Sequence, residues 1–320
     1  MKYIENNNNN VYFNLAFEEY VFNNLKDDDY ILLWKNDESI VLGKYQNAFE
    51  EINIKAVENN GIKVARRNTG GGTVFHDRGN LNYSFMINYD RGSFADYDKF
   101  IMPIIEALKT MGIDANKRRS SDIAINNMKI SGSAQAISGG RILHHGTLLF
   151  NSDIEKLNEM LKALNGKFEC KSVKSVRSIV TNISRHIDNK NMSINDFQEA
   201  LLNALFPSGI EKVILTDKQL NDINELVEKK YSKWEWNYGR SPDFTYKKQS
   251  HISDGCINVQ LSIKKGLIDG VNVTAEVLPC ADIENALKGS FYSHKEITKK
   301  LMEIQYIDNI NIEELVSCFF

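Results

Sequence analysis

Arg66-Arg67-Asn68-Thr69-Gly70-Gly71-Gly72-Thr73-Val74-Phe75-His76-Asp77 sets two arginines before three consecutive glycines and a histidine–aspartate pair after them. Glycine loses more backbone entropy on folding than any other residue, so three in a row are costly. The return is close approach of backbone N–H groups to a ligand, an array that favours anions. The flanking guanidinium groups add planar forks of donors suited to carboxylate or phosphate. The stretch is read as a binding loop for an anionic small molecule. A plain hairpin with two surface arginines is the competing reading. Val64-Ala65 and Val74-Phe75 look like strand ends, and a turn between them needs fewer glycines.

Four further clusters carry reactive side chains. His76-Asp77-Arg78-Gly79-Asn80 follows the loop; its histidine can touch a phosphate or bond the backbone. In Ser121-Asp122, a carboxylate near a polyphosphate could hold Mg2+, which takes carboxylate together with phosphate oxygens; a strand-entry aspartate is the plainer alternative. In Met128-Lys129-Ile130-Ser131-Gly132-Ser133-Ala134, strand alternation with Met128 and Ile130 toward the core places Lys129 and Ser131 on the opposite face. The small residues that follow leave room for a ligand beside the lysine, which by type alone is more often solvated surface. His144 and His145 are adjacent, so on a strand they point to opposite faces and cannot share one metal; buried, hydrogen-bonded histidine is the expected role. No GxxxxGK[ST], HExxH, GxSxG or GxGxxG occurs, so nucleotide chemistry here is not of the P-loop or Rossmann kind.

The elements that must position these groups are legible in outline. Asn14 is placed as the cap of a helix over Leu15–Leu25, after an Asn6–Asn10 loop. Residues 31–34 and 40–43 read as short strands, and Ile62–Ala65 leads into the glycine loop. Tyr83, Phe85 and Ile87 form one strand face. Phe100, Ile101, Ile104, Ile105, Leu108 and Met111 have helical spacing, with Gly112 as the stop. Ile123/Ile125 and Met128/Ile130 flank an Asn126-Asn127 turn, a hairpin. Leu148–Phe150 ends a strand. Ser152/Asp153 opens a helix to Leu164, and Ser193 with Asp196 forms a capping box before Phe197–Phe206, which Pro207 ends. The composition changes at 231–250. Alternating Ile257, Val259, Leu261 and Ile263, a turn at Gly266, and a return through Ile268, Val271 and Val273 indicate a separate small α+β module. Two domains are therefore expected, 1–245 and 246–320.

With 39 basic against 42 acidic residues, the net charge of −3 gives no basic footprint for nucleic acid. No apolar run approaches the ~20 residues of a membrane span, and no apolar signal-peptide core follows Met1, so a cytoplasmic location is expected. Cys170, Cys256, Cys280 and Cys318 are far apart and form no CxxC pair, which suits reduced thiols rather than a metal or disulfide framework.

Taken in order, these motifs resemble the lipoate–protein ligase A family over almost the whole chain. The match runs through Phe13–Glu19, Val41–Asn47, Ala65–Asn80, Lys129–Ala134, His144–Leu149, Ser175–Ser178 with Val180–Asn182, and Trp234–Gly239. The resemblance implies an α+β fold: a biotin/lipoyl-ligase-like catalytic domain of mixed sheet flanked by helices, with a small C-terminal α+β domain. It implies a reaction in two halves. Lipoate attacks the α-phosphate of ATP to give lipoyl-AMP and pyrophosphate, and a lysine amine on an apo lipoyl domain then takes the acyl group. The acceptors it implies are E2 subunits of 2-oxoacid dehydrogenases and the glycine-cleavage H protein; a monomer is the default.

By the same resemblance, Arg67 and Gly72, Thr73, Val74 and Phe75 hold the adenylate with Lys129. Arg66, Gly70, Gly71, Gly72, His76 and Lys129 border the lipoyl group. Lys129 is the central catalytic residue, acting as a positioned charge between acyl and phosphate oxygens. Asp122 is the Mg2+ residue, although Ser121 stands where the family carries Asn. Residues 167–182 resemble a segment that closes over the adenylate and excludes water. Octanoate, lacking only the dithiolane ring, is expected to be used less efficiently. The nearest rival is an octanoyl or lipoyl transferase, which needs a cysteine thiolate shortly before Asp122. Asn116–Ser121 contains no thiol, and Cys170 is the remaining candidate in the mobile-looking segment. A lipoyl-binding paralogue without adenylation is the other alternative.

Overall fold

The computed structural model describes residues 1–89, 96–161, 166–253, 255–304 and 311–320. The chain divides into two compact units. The larger takes Met1–Lys44, Lys63–Leu157 and Ser175–Lys233; the smaller takes Tyr45–Ile62, Asn158–Lys174 and Trp234–Phe320.

The larger unit is built on an eight-stranded mixed sheet. Its spatial order is Lys212–Val213, Lys2–Glu5, Tyr30–Trp34, Asn80–Asn88, Arg141–Leu149, Met128–Ser138, Asp122–Ile125 and Asn116–Arg119. The first three strands run parallel and the rest pair antiparallel. Tyr83, Phe85 and Ile87 alternate into a core with Phe100, Ile101, Ile104, Ile105 and Leu108 of helix Asp98–Thr110. Burying side chains of this size contributes roughly 1.5–3 kcal/mol each. Gly112 ends that helix at φ +77°, in the left-handed region glycine adopts freely. The Asn126-Asn127 turn has φ +49° and +62°, both positive as a two-residue hairpin turn requires, which asparagine tolerates. A second sheet, Lys63–Arg66, Ser39–Leu42 and Val74–His76, holds the two ends of the glycine loop.

In the smaller unit, Lys167–Cys170, Phe244–Ile252, Gly255–Lys264 and Leu267–Ala275 form a four-stranded antiparallel sheet. Phe49 packs at 5.0 Å from Tyr292 and 5.6 Å from Phe244 between ring centroids, so the 45–62 segment joins this core. Residue 246 lies inside strand Phe244–Ile252.

The α+β fold class is as the sequence indicates, and three local expectations change. The first helix spans Val11–Asn24, capped by Asn10, whose side chain accepts from the Tyr12 amide. Asn14 is instead buried within it, and its amide donates to the Asn8 and Lys35 carbonyls and to Asn36 Oδ1. The earlier cap wins because it buries Val11 as well as Leu15. The capping box at Ser193 and Asp196 is present, opening helix Ile194–Leu205. The helix expected to reach Leu164 spans Ile154–Met160; residues 162–165 lie outside the described residues.

The third change is in register. A bulge in strand Met128–Ser138 sets Ala124 opposite Lys129 and Ile123 opposite Ser131. Facing residues in a sheet share a face and consecutive ones alternate, so Lys129 and Ser131 lie on opposite faces, not on one. Gly132, opposite Asp122, takes the place beside the lysine.

Candidate active site

The glycine loop is held from beneath by Arg67. This residue is buried, with 6% exposure, and its guanidinium donates to Val41 O (3.1 Å), Thr69 Oγ1 (3.0 Å), Gly70 O (2.6 Å) and Gly72 O (2.8 Å). One planar fork thus fixes both sides of the turn, a task no ammonium could perform. Burial lowers its pKa to about 10, with Glu18 opposing the shift, so it remains a cation at neutral pH. Arg66 is fully buried and donates to Gly43 O at 2.9 Å. Gly71 has φ +86°, and a Cβ there would come 3.0 Å from Arg67 Nη2 and 3.7 Å from Ala134 Cβ. A side chain would therefore meet both its own loop and the lysine-bearing strand. At Gly72, a Cβ would lie 3.0 Å from Ser175 Oγ, which accepts from the Thr73 amide at 2.9 Å. Val74 and Phe75 continue into strand Val74–His76, with Phe75 buried.

On the neighbouring face, Lys129 Nζ lies 2.9 Å from Asp122 Oδ1. The carboxylate is buried while the lysine side chain keeps 25% of its surface exposed. A Cβ on Gly132 would fall 2.7 Å from that Nζ and 2.9 Å from Cε. The ammonium therefore rests in the space that glycine leaves. Backbone fixes the other side of Lys129, whose amide donates to Ile179 O (2.9 Å) and whose carbonyl accepts from Thr181 N (3.1 Å). Asn182 closes this segment with reciprocal bonds to the Ser152 backbone. Residues 175–181 thus touch both the glycine loop and the lysine, so one segment registers the loop against the Lys129 strand.

Behind the loop runs a buried polar chain. Trp34 Nε1 donates to Ser84 Oγ (2.9 Å), Ser84 donates to Glu18 Oε1 (2.6 Å), and Glu18 Oε1 lies 2.8 Å from His145 Nδ1. His145 Nε2 is 2.7 Å from Thr69 Oγ1. A carboxylate accepts, so His145 carries a proton on Nδ1 toward Glu18, and the Thr69 hydroxyl that meets Nε2 also accepts from Arg67. His144 points the other way, stacked on Phe100 at 4.6 Å and bonded to Gln135. His76 is buried, with Nδ1 at 2.9 Å from Asn36 Nδ2 and Nε2 buried without a partner. Burial first, then Arg67 and His145, lowers its pKa to about 3, keeping it neutral. Asp77 bonds the Gly79 and Asp153 amides and is structural.

Glu18, Thr69 and Ser175 help to build the site but escape a reading by residue type. The available signal for Glu18 is its spacing: Val11, Leu15, Glu18 and Phe22 share a helical face with Asn14, and a carboxylate at a buried helical position needs a partner. Among the described residues no group of three His, Cys, Asp or Glu could hold a metal. No helix among them is long and apolar enough to cross a membrane.

Residues 10–206 match the lipoyl protein ligase A/B catalytic domain, and the chain belongs to that family. Residues 241–319 match the bacterial lipoate protein ligase C-terminus. Lipoate-protein ligase LplJ of Bacillus subtilis is 39% identical over 332 aligned positions, covering 100% of both chains. Lipoate–protein ligase 1 of Staphylococcus aureus is 36% identical, covering 99% of each. Among solved structures, a lipoate-protein ligase A bound with ATP is 27% identical with a TM-score of 0.64, covering 75% of this chain and 98% of that one. The bipartite Thermoplasma acidophilum lipoate protein ligase, described with its E2 lipoyl domain, gives 26% and 0.64 over 75% and 96%. P. falciparum LipL1 in complex with lipoate gives 25% and 0.63 over 99% and 98%.

Proposed function

We propose that this chain is an ATP-dependent lipoate–protein ligase that makes lipoyl-AMP and passes the lipoyl group to a lysine amine of apo lipoyl domains. The observation that carries the reading is the Ser175–Thr181 segment, hydrogen-bonded to Thr73 of the glycine loop at one end and to the Lys129 backbone at the other. A loop for an anion and a fixed cation held together suit a reaction joining two anions.

In the first half-reaction, a lipoate carboxylate oxygen bonds to the α-phosphorus while the bond to the pyrophosphate oxygen breaks. Charge develops on the phosphate oxygens, and a preorganised cation stabilises it. Lys129 supplies that cation. In the second, the acceptor amine attacks the acyl carbon, loses a proton, and AMP leaves. Arg67 and the Gly72–Phe75 backbone hold the adenylate, and Arg66, Gly70, Gly71, Gly72 and His76 border the lipoyl group; in this arrangement Arg67 acts by shaping the loop. Asp122 is the residue for Mg2+. A single carboxylate completed by substrate phosphates is a coordination Mg2+ accepts, and the ion would neutralise phosphate charge. Residues 1–245 carry the chemistry and 246–320 are accessory. The acceptors are lipoyl domains of 2-oxoacid dehydrogenase E2 subunits or the glycine-cleavage H protein, met in the cytoplasm by a monomer.

Pyrophosphate release tests the first half-reaction. Lipoate-dependent release from ATP is expected, with slower release for octanoate; no release with either acid would overturn the reading.

A further inference from the structure

Glu18 and Glu19 are consecutive on helix Val11–Asn24, and each reaches a different one of two consecutive loop residues. Glu18 acts through His145 on Thr69. Glu19 accepts from Lys230 Nζ at 2.9 and 2.7 Å and from Tyr231 Oη at 2.6 Å. Both partners then engage Asn68: Lys230 Nζ donates to its Oδ1 at 2.9 Å, and its Nδ2 donates to Tyr231 Oη at 2.8 Å. Asn68, Tyr231, Glu19 and Lys230 therefore close a ring in which each donor meets an acceptor. A side-chain amide is suited to the Asn68 position, since it must both give and receive.

Lys230 and Tyr231 end a π-helical turn, Val227–Tyr231. Such turns are rare and frequently mark functional sites. The wider turn brings consecutive residues 230 and 231 onto one amide. Tyr231 is buried at 1% exposure. Burial, and next the nearby Glu19 carboxylate, raise its pKa well above 10, so the phenol keeps the proton it donates. Nothing in the proposed chemistry uses these groups.

We propose that Glu19, Lys230 and Tyr231 are positioning residues that clamp Asn68 and thereby set the glycine loop for adenylate formation. This inference rests on the ligase reading. Arg67 anchors the loop's carbonyls, the Glu18–His145–Thr69 chain holds one side of its base, and the ring at Asn68 holds the other. Loss of the ring leaves the turn intact but less fixed, and a misplacement near 1 Å can cost on the order of 10²-fold in rate.

Tyr231→Phe removes one hydroxyl and keeps the ring; Asn68→Asp removes the donor to Tyr231 and sets a second carboxylate near Glu19. Lys229→Met, at an exposed pair with Glu225, is the control. Each variant is assayed for lipoate-dependent pyrophosphate release, for transfer from synthetic lipoyl-AMP, and for amide hydrogen exchange at residues 68–73. Faster exchange at 68–73 is expected in both clamp variants, with kcat for adenylation down roughly 10-fold, a melting temperature close to wild type in Tyr231→Phe, and an unaltered control. Unchanged exchange and kcat in both would overturn the clamp. Inactive wild type would instead overturn the ligase reading, while the exchange result would still judge the clamp. A kcat loss matched by global unfolding in Tyr231→Phe would show a merely structural role and also contradict it.

Discussion

Lys129 lies over Gly132, three residues further along the same strand, because a bulge between them turns the glycine to the lysine's face. The ammonium occupies the space a Cβ would fill while holding Asp122 at 2.9 Å. Gly132→Ala should therefore displace the Lys129 ammonium more than it harms the fold. The atoms it would meet are the free end of a flexible side chain, so the stability loss should stay near ~1 kcal/mol. Adenylation should fall at least ~10-fold. Steady-state kinetics beside urea unfolding check this; normal kcat would place the working position of Lys129 elsewhere.

Gly79 is the opposite case. A Cβ there would run into the backbone of Asn151 and Ser152, and the Gly79 carbonyl accepts from Phe150 N and Asn151 N. Backbone cannot swing aside, so Gly79→Ala should destabilise by roughly 3 kcal/mol or more. A melting temperature within a degree or two of wild type would refute the contact.

Cys170 tests the transferase alternative. Its thiol donates to Glu50 Oε2 at 2.8 Å, and burial, with the Glu50 bond next, raises its pKa. A thiol held this way is poorly disposed to become a nucleophilic thiolate. Cys170→Ser preserves the donor and should leave ATP-dependent lipoylation within about 2-fold of wild type, whereas a thiolate acyl carrier would lose nearly all turnover. Loss of lipoylation with an intact fold would revive the transferase reading.

Two buried histidines predict acid sensitivity. Burial first, with His145 adding, lowers His144 to about 3, and His76 is likewise lowered to about 3. In the unfolded chain each titrates near ~6.5. The folded state holds them neutral, so this stability is complete above about pH 6.5 and is lost as pH falls toward 3, by ~1.4 kcal/mol per unit for each group. From pH 7 to 5 the pair should cost roughly 4 kcal/mol. His144→Gln should halve this part of the slope in urea unfolding; an unchanged slope would show that other groups carry it.

The sequence was most readable where geometry is local. The strand ends on either side of the triple glycine, the Asn126-Asn127 turn, the Ser193 capping box and the strand around Tyr83 each follow from neighbours in the chain. What it concealed depends on distant partners. The bulge that sets Gly132 beside Lys129 arises from pairing with Ile123 and Ala124, and strict alternation placed Ser131 there instead. Asn14 has a good capping residue type, but burial of Val11 moves the start of the helix to Asn10. The ring at Asn68 joins residues more than 160 positions apart, so no spacing rule could reveal it.

The central claim is that Lys129 supplies the fixed charge for joining lipoate to ATP and thence to a protein lysine. Purified chain, lipoate, Mg-ATP and an apo lipoyl domain, with Lys129→Ala in parallel, test it through the intact mass of the acceptor. The account predicts acceptor mass gain that requires ATP in the wild type and falls by roughly 10²–10³-fold in rate in the variant. Modification by Lys129→Ala at the wild-type rate, or modification without ATP, would contradict it.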